Sequence, residues 1–255
     1  MITVGLTSVT FSNLTPAEIV EYCKKSGIDT IEWGSDVHVP IRDEENARNV
    51  KSLCDKEGIN ISSYGSYYRC GQYENPEEEF AEYVKTAKII GAPKIRIWVG
   101  DRDYDKADAE YYNKIIAELK MMCEIARKEN IHIGCEFHEG SLTGKRLSSL
   151  KVIEDVNCDN IGMYFQHDFF ESDEENYHTL RDFIPTLKNV HVYNVSTEYK
   201  RYSLADGNCP KLWVGFVDIL KENNISANFL LEFLPNPSLE ELIRETEILK
   251  NIVNR

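Results

Sequence analysis

The sequence lacks the short motifs that identify several common enzyme classes. It contains no G-x-S-x-G nucleophile elbow, no P-loop and no G-x-G-x-x-G turn. The pair His138-Glu139 is not followed by the second histidine of a zincin helix. These absences argue against α/β-hydrolase-type serine enzymes, P-loop proteins, dinucleotide-binding folds and zincin proteases.

Positive charge is also scarce. The 255 residues include 29 Lys and Arg against 43 Asp and Glu, which gives a net charge of −14 at pH 7. This excess disfavours nonspecific attraction to nucleic-acid phosphates or anionic lipid, and it favours metal cations. No run of basic residues interleaved with aromatics would supply a local basic groove. We therefore expect no nucleic-acid partner and no membrane partner.

Paired cysteines and long apolar segments are missing as well. The seven cysteines form an odd set without a C-x-x-C pair, which indicates reduced thiols in a cytosolic protein. No segment reaches the roughly 18 apolar residues of a membrane span. The N-terminus has no basic region followed by a long apolar stretch. The expected location is cytoplasmic.

Eight apolar runs predict strands. Most of them are continuous rather than alternating, which is typical of parallel strands that are covered on both faces. The runs are residues 2–7, 30–33, 59–64, 94–99, 132–137, 161–166, 190–193 and 229–234.

Amphipathic segments with helix start and stop signals lie between these runs. Thr15-Pro16 opens the first helix with a capping threonine and a proline in the first turn, and Gly27 ends it. The other predicted helices cover residues 43–56, 75–91, 107–129, 145–156, 174–187, 211–223 and 238–253.

This alternation predicts an α/β fold, a single (β/α)8 TIM barrel of residues 1–255. The length fits one barrel or two smaller domains, and the absence of a proline-rich or low-complexity break favours one. A doubly wound open sheet is the alternative. It would place a glycine-rich turn after the first strand, where the sequence has Thr7-Ser8-Val9-Thr10-Phe11.

Glu136 and Glu232 each lie towards the carboxyl end of a strand-like run. Since the working residues of such a barrel lie at the carboxyl ends of its strands, both carboxylates are expected at one mouth. Other polar residues near predicted strand ends or in the following loops are Glu32, His38, Arg96, His138, Gln166, His167, Asp168, His191 and Asn194.

Glu136, His191 and Glu232 carry oxygen and nitrogen ligands suited to Mg, Mn, Co or Zn. Two carboxylates brought within a few ångströms raise the pKa of one of them, so they share either a proton or a metal. The alternative is that each acid pairs with an Arg or Lys in a salt-bridge network.

Several strings give the chain a family resemblance. Glu136-Phe137-His138, Leu231-Glu232-Phe233 and the stretches 31–40, 63–69 and 91–98 resemble the xylose-isomerase-like TIM-barrel superfamily, also known for its AP endonuclease family 2 fold. That superfamily includes sugar phosphate isomerases and epimerases and ketose 3-epimerases. The resemblance covers nearly the whole chain.

In the ketose epimerases, one metal is held by Glu, Asp, His and Glu from strands five to eight. The resemblance therefore implies a divalent metal ion (Mn, Mg, Co or Zn) held by Glu136, His191 and Glu232. Gln166 stands where the Asp is expected. Its amide oxygen still binds metals, but the site loses one negative charge and its affinity should fall.

Two further positions depart from the epimerase pattern. Phe169 stands where the family has a substrate-binding His, and Thr197 stands where it has an Arg. Neighbouring residues are candidate replacements, namely His167 or Asp168 for the first and Arg201 for the second. The remaining candidate substrate-binding residues are Glu32, His38, Tyr64, Arg96, Trp98 and His138.

Three functions remain open. The first is a metal-dependent isomerase or epimerase of a small carbohydrate, in which Glu136 and Glu232 act as base and acid on an enediolate-like intermediate. The second is a lyase or hydrolase acting on a keto-sugar or glycoside at the same site. The third is a sugar-binding barrel with a degenerate metal site, which Gln166 motivates. The expected partner is a small-molecule carbohydrate, and a homodimer is expected by analogy only.

Overall fold

Eight parallel strands close into a barrel, and eight α-helices surround it, in a computed structural model that describes residues 1–255. The strands pair in chain order, and the last pairs with the first. The predicted single (β/α)8 TIM barrel is confirmed. The strands are β1 (Ile2–Thr7), β2 (Thr30–Gly34), β3 (Asn60–Arg69), β4 (Lys94–Trp98), β5 (His132–Glu136), β6 (Ile161–Phe165), β7 (Leu187–Val192) and β8 (Ala227–Leu231). The helices are α1 (Pro16–Ser26), α2 (Glu44–Glu57), α3 (Pro76–Ile90), α4 (Ala109–Lys128), α5 (Arg146–Val156), α6 (Asp173–Phe183), α7 (Cys209–Glu222) and α8 (Leu239–Val253).

Helix α1 shows how the local signals act. The Thr15 hydroxyl accepts the backbone N–H of Glu18, and the Glu18 carboxylate accepts the backbone N–H of Thr15 at 2.8 Å. This reciprocal pair satisfies two of the amide groups that a helix leaves without partners at its start. Gly27 ends the helix in the left-handed conformation, with a φ of 71°.

Helix α6 ends earlier than the sequence pattern predicts. The pattern extends to residue 187, whereas α6 ends at Phe183 and a 3-10 turn covers Ile184–Thr186. Pro185 has no N–H to donate to a preceding turn, so the α-helix cannot continue through it. Strand β7 consequently begins at Leu187, three residues before the predicted start.

Strand β3 extends beyond its predicted end and reaches the mouth of the barrel. It was predicted over residues 59–64 but continues to Arg69, with irregular pairing to β4 between Gly65 and Arg69. Tyr67 has a φ of 40° within this extension. The irregular segment therefore adds Tyr67 and Arg69 to the wall of the mouth.

The apolar core lies mainly between the strands and the helices. Phe165 of β6 packs edge-to-face against Phe183 of α6 and Phe216 of α7, and all three are buried. A fully buried Phe contributes about 2 kcal/mol relative to an exposed one. The barrel interior, by contrast, contains the buried polar side chains of Glu32, Arg96 and His191.

All seven cysteines are unpaired, and all except Cys158 are buried. This agrees with the interpretation of the cysteines as reduced thiols. No helix in the structure combines the length and the apolar character that crossing a membrane requires.

We predict that Gly162→Ala destabilises the barrel strongly. A Cβ atom at Gly162 of β6 would overlap the backbone carbonyl oxygen of Thr186, which cannot rotate away as a side chain would. We expect the free energy of unfolding in urea to fall by about 3 kcal/mol. Gly58→Ala is the matched control. A Cβ atom there meets no atom within 4 Å, and only the φ of 69° opposes it, at about 1 kcal/mol. Equal losses in the two variants would contradict the prediction.

Candidate active site

A cavity of about 290 Å³ opens at the carboxyl ends of the strands. Its wall combines aromatic rings with charged and amide groups from β4 to β8 and the loops that follow them. The lining residues are Tyr67, Arg96, Trp98, Glu136, Phe137, His138, Glu139, Gly144, Gln166, His167, Asp168, Phe169, Phe170, Tyr193, Val195, Tyr199, Arg201, Glu232 and Phe233.

The imidazole of His191 lies close to the side chains of the other three residues that the sequence predicts as metal ligands. His191 lies on β7 and is fully buried. Its Nδ1 atom lies 3.3 Å from Gln166 Oε1, 3.6 Å from Glu136 Oε1 and 3.4 Å from Glu232 Oε2. Glu136 is the last residue of β5, while Gln166 follows β6 directly and Glu232 follows β8 directly. The strand ends thus bring these four side chains together.

Glu136 is held in place by two donors. Its Oε2 atom accepts hydrogen bonds from Arg96 Nη1 and from the indole Nε1 of Trp98, both on β4. These bonds leave Oε1 facing His191. A carboxylate that accepts two donors from a neighbouring strand has little rotational freedom, so its position relative to the cavity is fixed.

Glu32 lies beneath the cavity and supports the residues above it. Its carboxylate accepts hydrogen bonds from Arg96 Nε at 3.1 Å, from Ser63 Oγ at 2.9 Å and from the Tyr164 hydroxyl. The other ring nitrogen of His191, Nε2, lies 3.4 Å from Glu32 Oε1, though without hydrogen-bond geometry. Glu32 therefore contacts both the guanidinium that fixes Glu136 and the imidazole between the two upper glutamates.

The absence of a side chain at Gly65 makes room for this arrangement. A Cβ atom there would lie 2.8 Å from Glu32 Oε1 and 3.0 Å from Arg96 Nη2. Both distances are shorter than normal contacts, and both atoms belong to a buried ion pair that cannot easily shift. Glycine at this position of β3 is thus a requirement of the ion pair.

The electrostatic environment shifts the pKa values of Glu136 and Glu232 in opposite directions. Burial by itself would raise the pKa of Glu136, but Arg96 and His191 outweigh burial and lower it to about 2. The pKa of Glu232 is raised, because burial and the neighbouring Glu136 outweigh His191. The pKa of His191 is raised to about 10, because Glu232, Glu136 and Glu32 outweigh its burial. Two carboxyl groups with opposite pKa shifts are a common arrangement in acid–base sites.

Three residues predicted to bind substrate do not line the cavity. Glu32 lies in mid-strand, below Arg96, and is 2% exposed. His38 is buried and bonds Ser8 Oγ at 3.0 Å and the Leu14 carbonyl at 3.2 Å, so its ring connects two loops. Tyr64 is buried too, and its hydroxyl donates to the carbonyl of Val39. All three have partners within the fold, and the structure does not bring them to the wall of the cavity.

The other predicted substrate-binding residues do line the cavity. Besides Arg96 and Trp98, these are His138, His167, Asp168 and Arg201. His138 stacks on the Trp98 indole with ring centroids 4.7 Å apart. Asp168 lies 3.2 Å from Lys145 Nζ.

His167 and Arg201 lack polar partners in this wall. His167 is packed against Tyr193 and Trp213, its Nδ1 has no hydrogen-bond partner, and burial lowers its pKa to about 4. The Arg201 guanidinium lies 4.8 Å from the centre of the Phe233 ring.

A short hairpin after β7 forms one side of the mouth. Val195 pairs with Arg201 in an antiparallel bridge, and the Tyr199 hydroxyl donates to Glu139 Oε1 at 2.9 Å. The hairpin thereby reaches the loop after β5.

Helix α8 holds the base of this hairpin. The buried Glu245 accepts hydrogen bonds from the Ser203 hydroxyl at 2.5 Å and from the backbone N–H of Leu204 at 2.7 Å. Arg201 is only two residues away from the first of these contacts. The anchor therefore limits how far this part of the wall can move.

Sequence reasoning did not identify several residues of this wall. Tyr193, Tyr199, Phe233 and Glu139 line the cavity but were not among the predicted site residues. Phe233 and Glu139 directly follow predicted site residues, so proximity in sequence is the signal that indicates them. Tyr199 lies in a loop without hydrophobic periodicity, and no local signal places it over the mouth.

The donor atoms around His191 have the chemistry of a divalent-metal site. As the side chains stand, however, no group of three or more His, Cys, Asp and Glu residues could hold a metal ion. Three oxygens nonetheless lie 3.3 to 3.6 Å from Nδ1 of His191, and carboxylate, amide and imidazole groups are donor types that divalent ions take in proteins. The residue types therefore fit a metal, with the amide oxygen of Gln166 as the fourth ligand, although the side chains would have to move to bind it.

Comparison with known proteins finds a matching family and a relative of known name. The model of the family described as xylose isomerase-like TIM barrel matches residues 20–252. The 3-dehydroshikimate dehydratase of Bacillus anthracis is 26% identical over 190 residues. That alignment covers 71% of this chain and 66% of the relative.

Solved structures show the same barrel. A probable 3-DHS dehydratase from Bacillus anthracis superposes with a TM-score of 0.78 at 17% identity, covering 98% of this chain and 99% of that one. D-psicose 3-epimerase from Clostridium cellulolyticum H10 superposes with a TM-score of 0.77 at 12% identity, covering 99% and 98%. At these identities the likeness concerns the fold.

We predict that Glu32→Gln destabilises the protein although it preserves the shape of the side chain. The amide leaves the buried Arg96 with one fewer carboxylate and offers one fewer acceptor to Ser63 and Tyr164. We expect the free energy of unfolding in urea to fall by about 3 kcal/mol. The control Glu247→Gln changes an exposed glutamate on α8 and should stay within about 0.5 kcal/mol of the wild type. A Glu32 variant as stable as this control would refute the supporting role.

Proposed function

Because the chain belongs to the xylose isomerase-like TIM barrel family, we propose that it is an isomerase or epimerase of a small carbohydrate or carbohydrate derivative. The observation that carries the proposal is the pair Glu136 and Glu232. Both are buried, both line one cavity, and both face the same nitrogen of His191. Such a pair suits the transfer of a proton at a carbon next to a carbonyl group.

The size and lining of the cavity support a small, polyhydroxylated substrate. Its volume of about 290 Å³ lies at the lower end of the range for ligand sites, so it suits one sugar-sized molecule. Tyr67 contributes an aromatic ring, on which the C–H face of a sugar packs well. The carboxylates and the guanidinium of Arg96 supply partners for hydroxyl and carbonyl oxygens.

The opposite pKa shifts assign different tasks to the two glutamates. Glu232, whose pKa is raised, is the stronger base and removes the proton from the carbon. Glu136 is ionised at the start, since Arg96 and His191 hold its pKa low against the effect of burial. Negative charge that develops on the substrate raises the proton affinity of Glu136, so it takes the proton of the adjacent hydroxyl and passes it to the former carbonyl oxygen. Glu232 then returns its proton to the neighbouring carbon, which completes the isomerisation.

The neighbouring side chains position these groups. Arg96 lies beside Glu136 and lines the cavity, where its positive charge stabilises a developing oxyanion. Trp98 fixes the Glu136 carboxylate through its indole N–H. His138 bonds the carbonyl of Glu139 through Nδ1, which leaves Nε2 available to accept a substrate hydroxyl.

Glu136, Gln166, His191 and Glu232 would hold a divalent metal ion. When bound, such an ion polarises a carbonyl oxygen and so acidifies the neighbouring C–H bond. Two features support this assignment. Oxygens of donor types that metals take surround Nδ1 of His191. The carboxylates also raise the pKa of His191 against its burial, and burial together with Glu136 raises that of Glu232, which indicates an excess of negative charge at this point. A cation would relieve that excess.

We predict that Gln166→Asp binds Mn²⁺ more tightly than the wild type. The substitution restores a negative charge at the fourth ligand position, so we expect the dissociation constant from calorimetry to fall by about tenfold or more. The only other glutamine, Gln72, is exposed, and Gln72→Asp serves as the control for added charge. If both variants bind Mn²⁺ like the wild type, Gln166 is not a ligand.

A second candidate function is elimination at the same site. Its support is the 26% identity to 3-dehydroshikimate dehydratase of Bacillus anthracis, an enzyme named for the removal of water. The first step is the same, because loss of a proton next to a carbonyl leads to elimination when a leaving group sits on the adjacent carbon. Only the fate of the intermediate differs between an isomerase and a lyase.

Product analysis in deuterated water tests the proposal. We expect solvent deuterium at one carbon of a recovered isomer from a panel of ketoses, and we expect Glu232→Gln to lower the exchange rate by about 10²-fold or more. The control is Glu247→Gln, which should react like the wild type. A dehydrated product, or a released aglycone from 3-keto-glycosides, would assign the lyase or hydrolase function. Stoichiometric sugar binding without exchange would assign a binding barrel and refute the isomerase.

A further inference from the structure

Most arginines of this chain form salt bridges, and two of those that do not lie beside the cavity. The sequence contains eleven arginines. Seven of them form salt bridges with Asp or Glu, namely Arg42, Arg48, Arg96, Arg102, Arg127, Arg146 and Arg244. Of the remaining four, Arg69 and Arg201 lie beside the cavity. The other two, Arg181 and Arg255, lie away from it, and Arg181, Arg201 and Arg255 are all exposed.

Aromatic rings take the place of acids at both unpaired arginines of the mouth. The Arg201 guanidinium lies 4.8 Å from the centre of the Phe233 ring, and that of Arg69 lies 3.8 Å from the Trp98 ring. Stacking on a ring positions a guanidinium, and its N–H donors stay free to form hydrogen bonds in the plane of the guanidinium group. Arg69 uses one donor on the carbonyl of Gly100, whereas Arg201 has no side-chain hydrogen bond within the protein.

The acidic residues of the same cavity, in contrast, all have partners. Glu136 bonds Arg96, Glu232 lies 3.4 Å from His191, Glu139 accepts the Tyr199 hydroxyl and Asp168 pairs with Lys145. Among the charged side chains that line this cavity, only Arg201 therefore lacks a polar partner in the protein, although the carboxylates there outnumber the guanidinium groups. An anionic ligand would pair with it.

Arg201 is the better placed of the two arginines. It lines the same cavity as Glu136 and Glu232, and it stacks on Phe233, the residue next to Glu232. Arg69 lines an adjoining groove, on the wall formed by β3 and β4, which is opposite to β7 and β8 in the closed barrel. The backbone of Arg201 is fixed by its bridge to Val195, and Glu245 anchors the chain two residues later.

We propose that the substrate of this site is an anion, and that Arg201 binds its carboxylate or phosphate group. The inference rests on the proposed function, since it assigns a substrate class to the same site. It adds that the ligand carries its charge towards the wall of β7 and β8, away from Trp98. Neutral sugars of the same shape would leave Arg201 without a partner and bind more weakly.

Calorimetry with matched neutral and charged ligands tests this inference. The probes are D-glucose, D-glucuronate and D-glucose 6-phosphate, then D-fructose and D-fructose 6-phosphate, and finally 3-dehydroshikimate and its methyl ester. We expect wild-type protein to bind the charged member of at least one set about tenfold more tightly than the neutral member. The set that shows this preference distinguishes a carboxylate from a phosphate.

Three variants locate the effect. Arg201→Met should lower the affinity for the charged ligand by about tenfold and leave the neutral ligand within about twofold. Arg181→Met is the control, because Arg181 is an exposed and unpaired arginine in the last turn of α6, away from the cavity. Arg69→Met should have a smaller effect than Arg201→Met. Circular dichroism establishes that each variant is folded.

The outcomes separate this inference from the proposed function. Equal binding of neutral and charged ligands, or a charge preference that survives in Arg201→Met, would overturn the anion assignment and leave the proposed function intact. A larger loss in Arg69→Met would transfer the anion to the adjoining groove and overturn the role of Arg201. If no ligand of any set binds, both the carbohydrate function and the anion assignment fail.

Discussion

The guanidinium of Arg96 is the contact on which the interior of this barrel depends. It projects from β4, is 3% exposed, and bonds Glu32 of β2 and Glu136 of β5. Removing one partner of a buried ion pair costs about 3 to 5 kcal/mol, because the other charge stays buried without compensation. These ion pairs connect β2, β4 and β5, in addition to the backbone hydrogen bonds that close the sheet. The same bonds fix Glu136 at the cavity, so the ion pairs that join the strands also position a residue of the candidate site.

Much of the fold follows from local sequence signals. Thr15 and Gly27 delimit α1 as expected, and the eight apolar runs all become strands. The predicted ends of α6 and β3 are wrong, because two local signals conflict at each of them. Pro185 ends α6 within a pattern that continues apolar. Strand β3 continues past its predicted end at Tyr64 because Gly65 and Ser66 interrupt the apolar run, whereas the buried Tyr68 packs beyond them.

The sequence predicts only part of the candidate site, because it does not show how deep each side chain lies in the barrel. Glu136 closes its strand and reaches the cavity, whereas Glu32 lies in the middle of β2 and so sits one layer deeper in the barrel. Both residues end up inside the barrel, and sequence alone does not give the depth of each. The loops pose a different difficulty. Tyr199 reaches Glu139 across 60 residues of sequence, and neither composition nor periodicity encodes that contact.

The bond between Glu245 and the base of the hairpin has a consequence for the order of assembly. Helix α8 leaves the ribosome after every strand of the barrel, yet it supplies the acceptor that holds Ser203 and Leu204. During synthesis, β1 to β8 can align while the wall that carries Tyr199 and Arg201 still lacks its anchor. The geometry of this part of the cavity wall therefore depends on the docking of a helix that does not itself line the cavity.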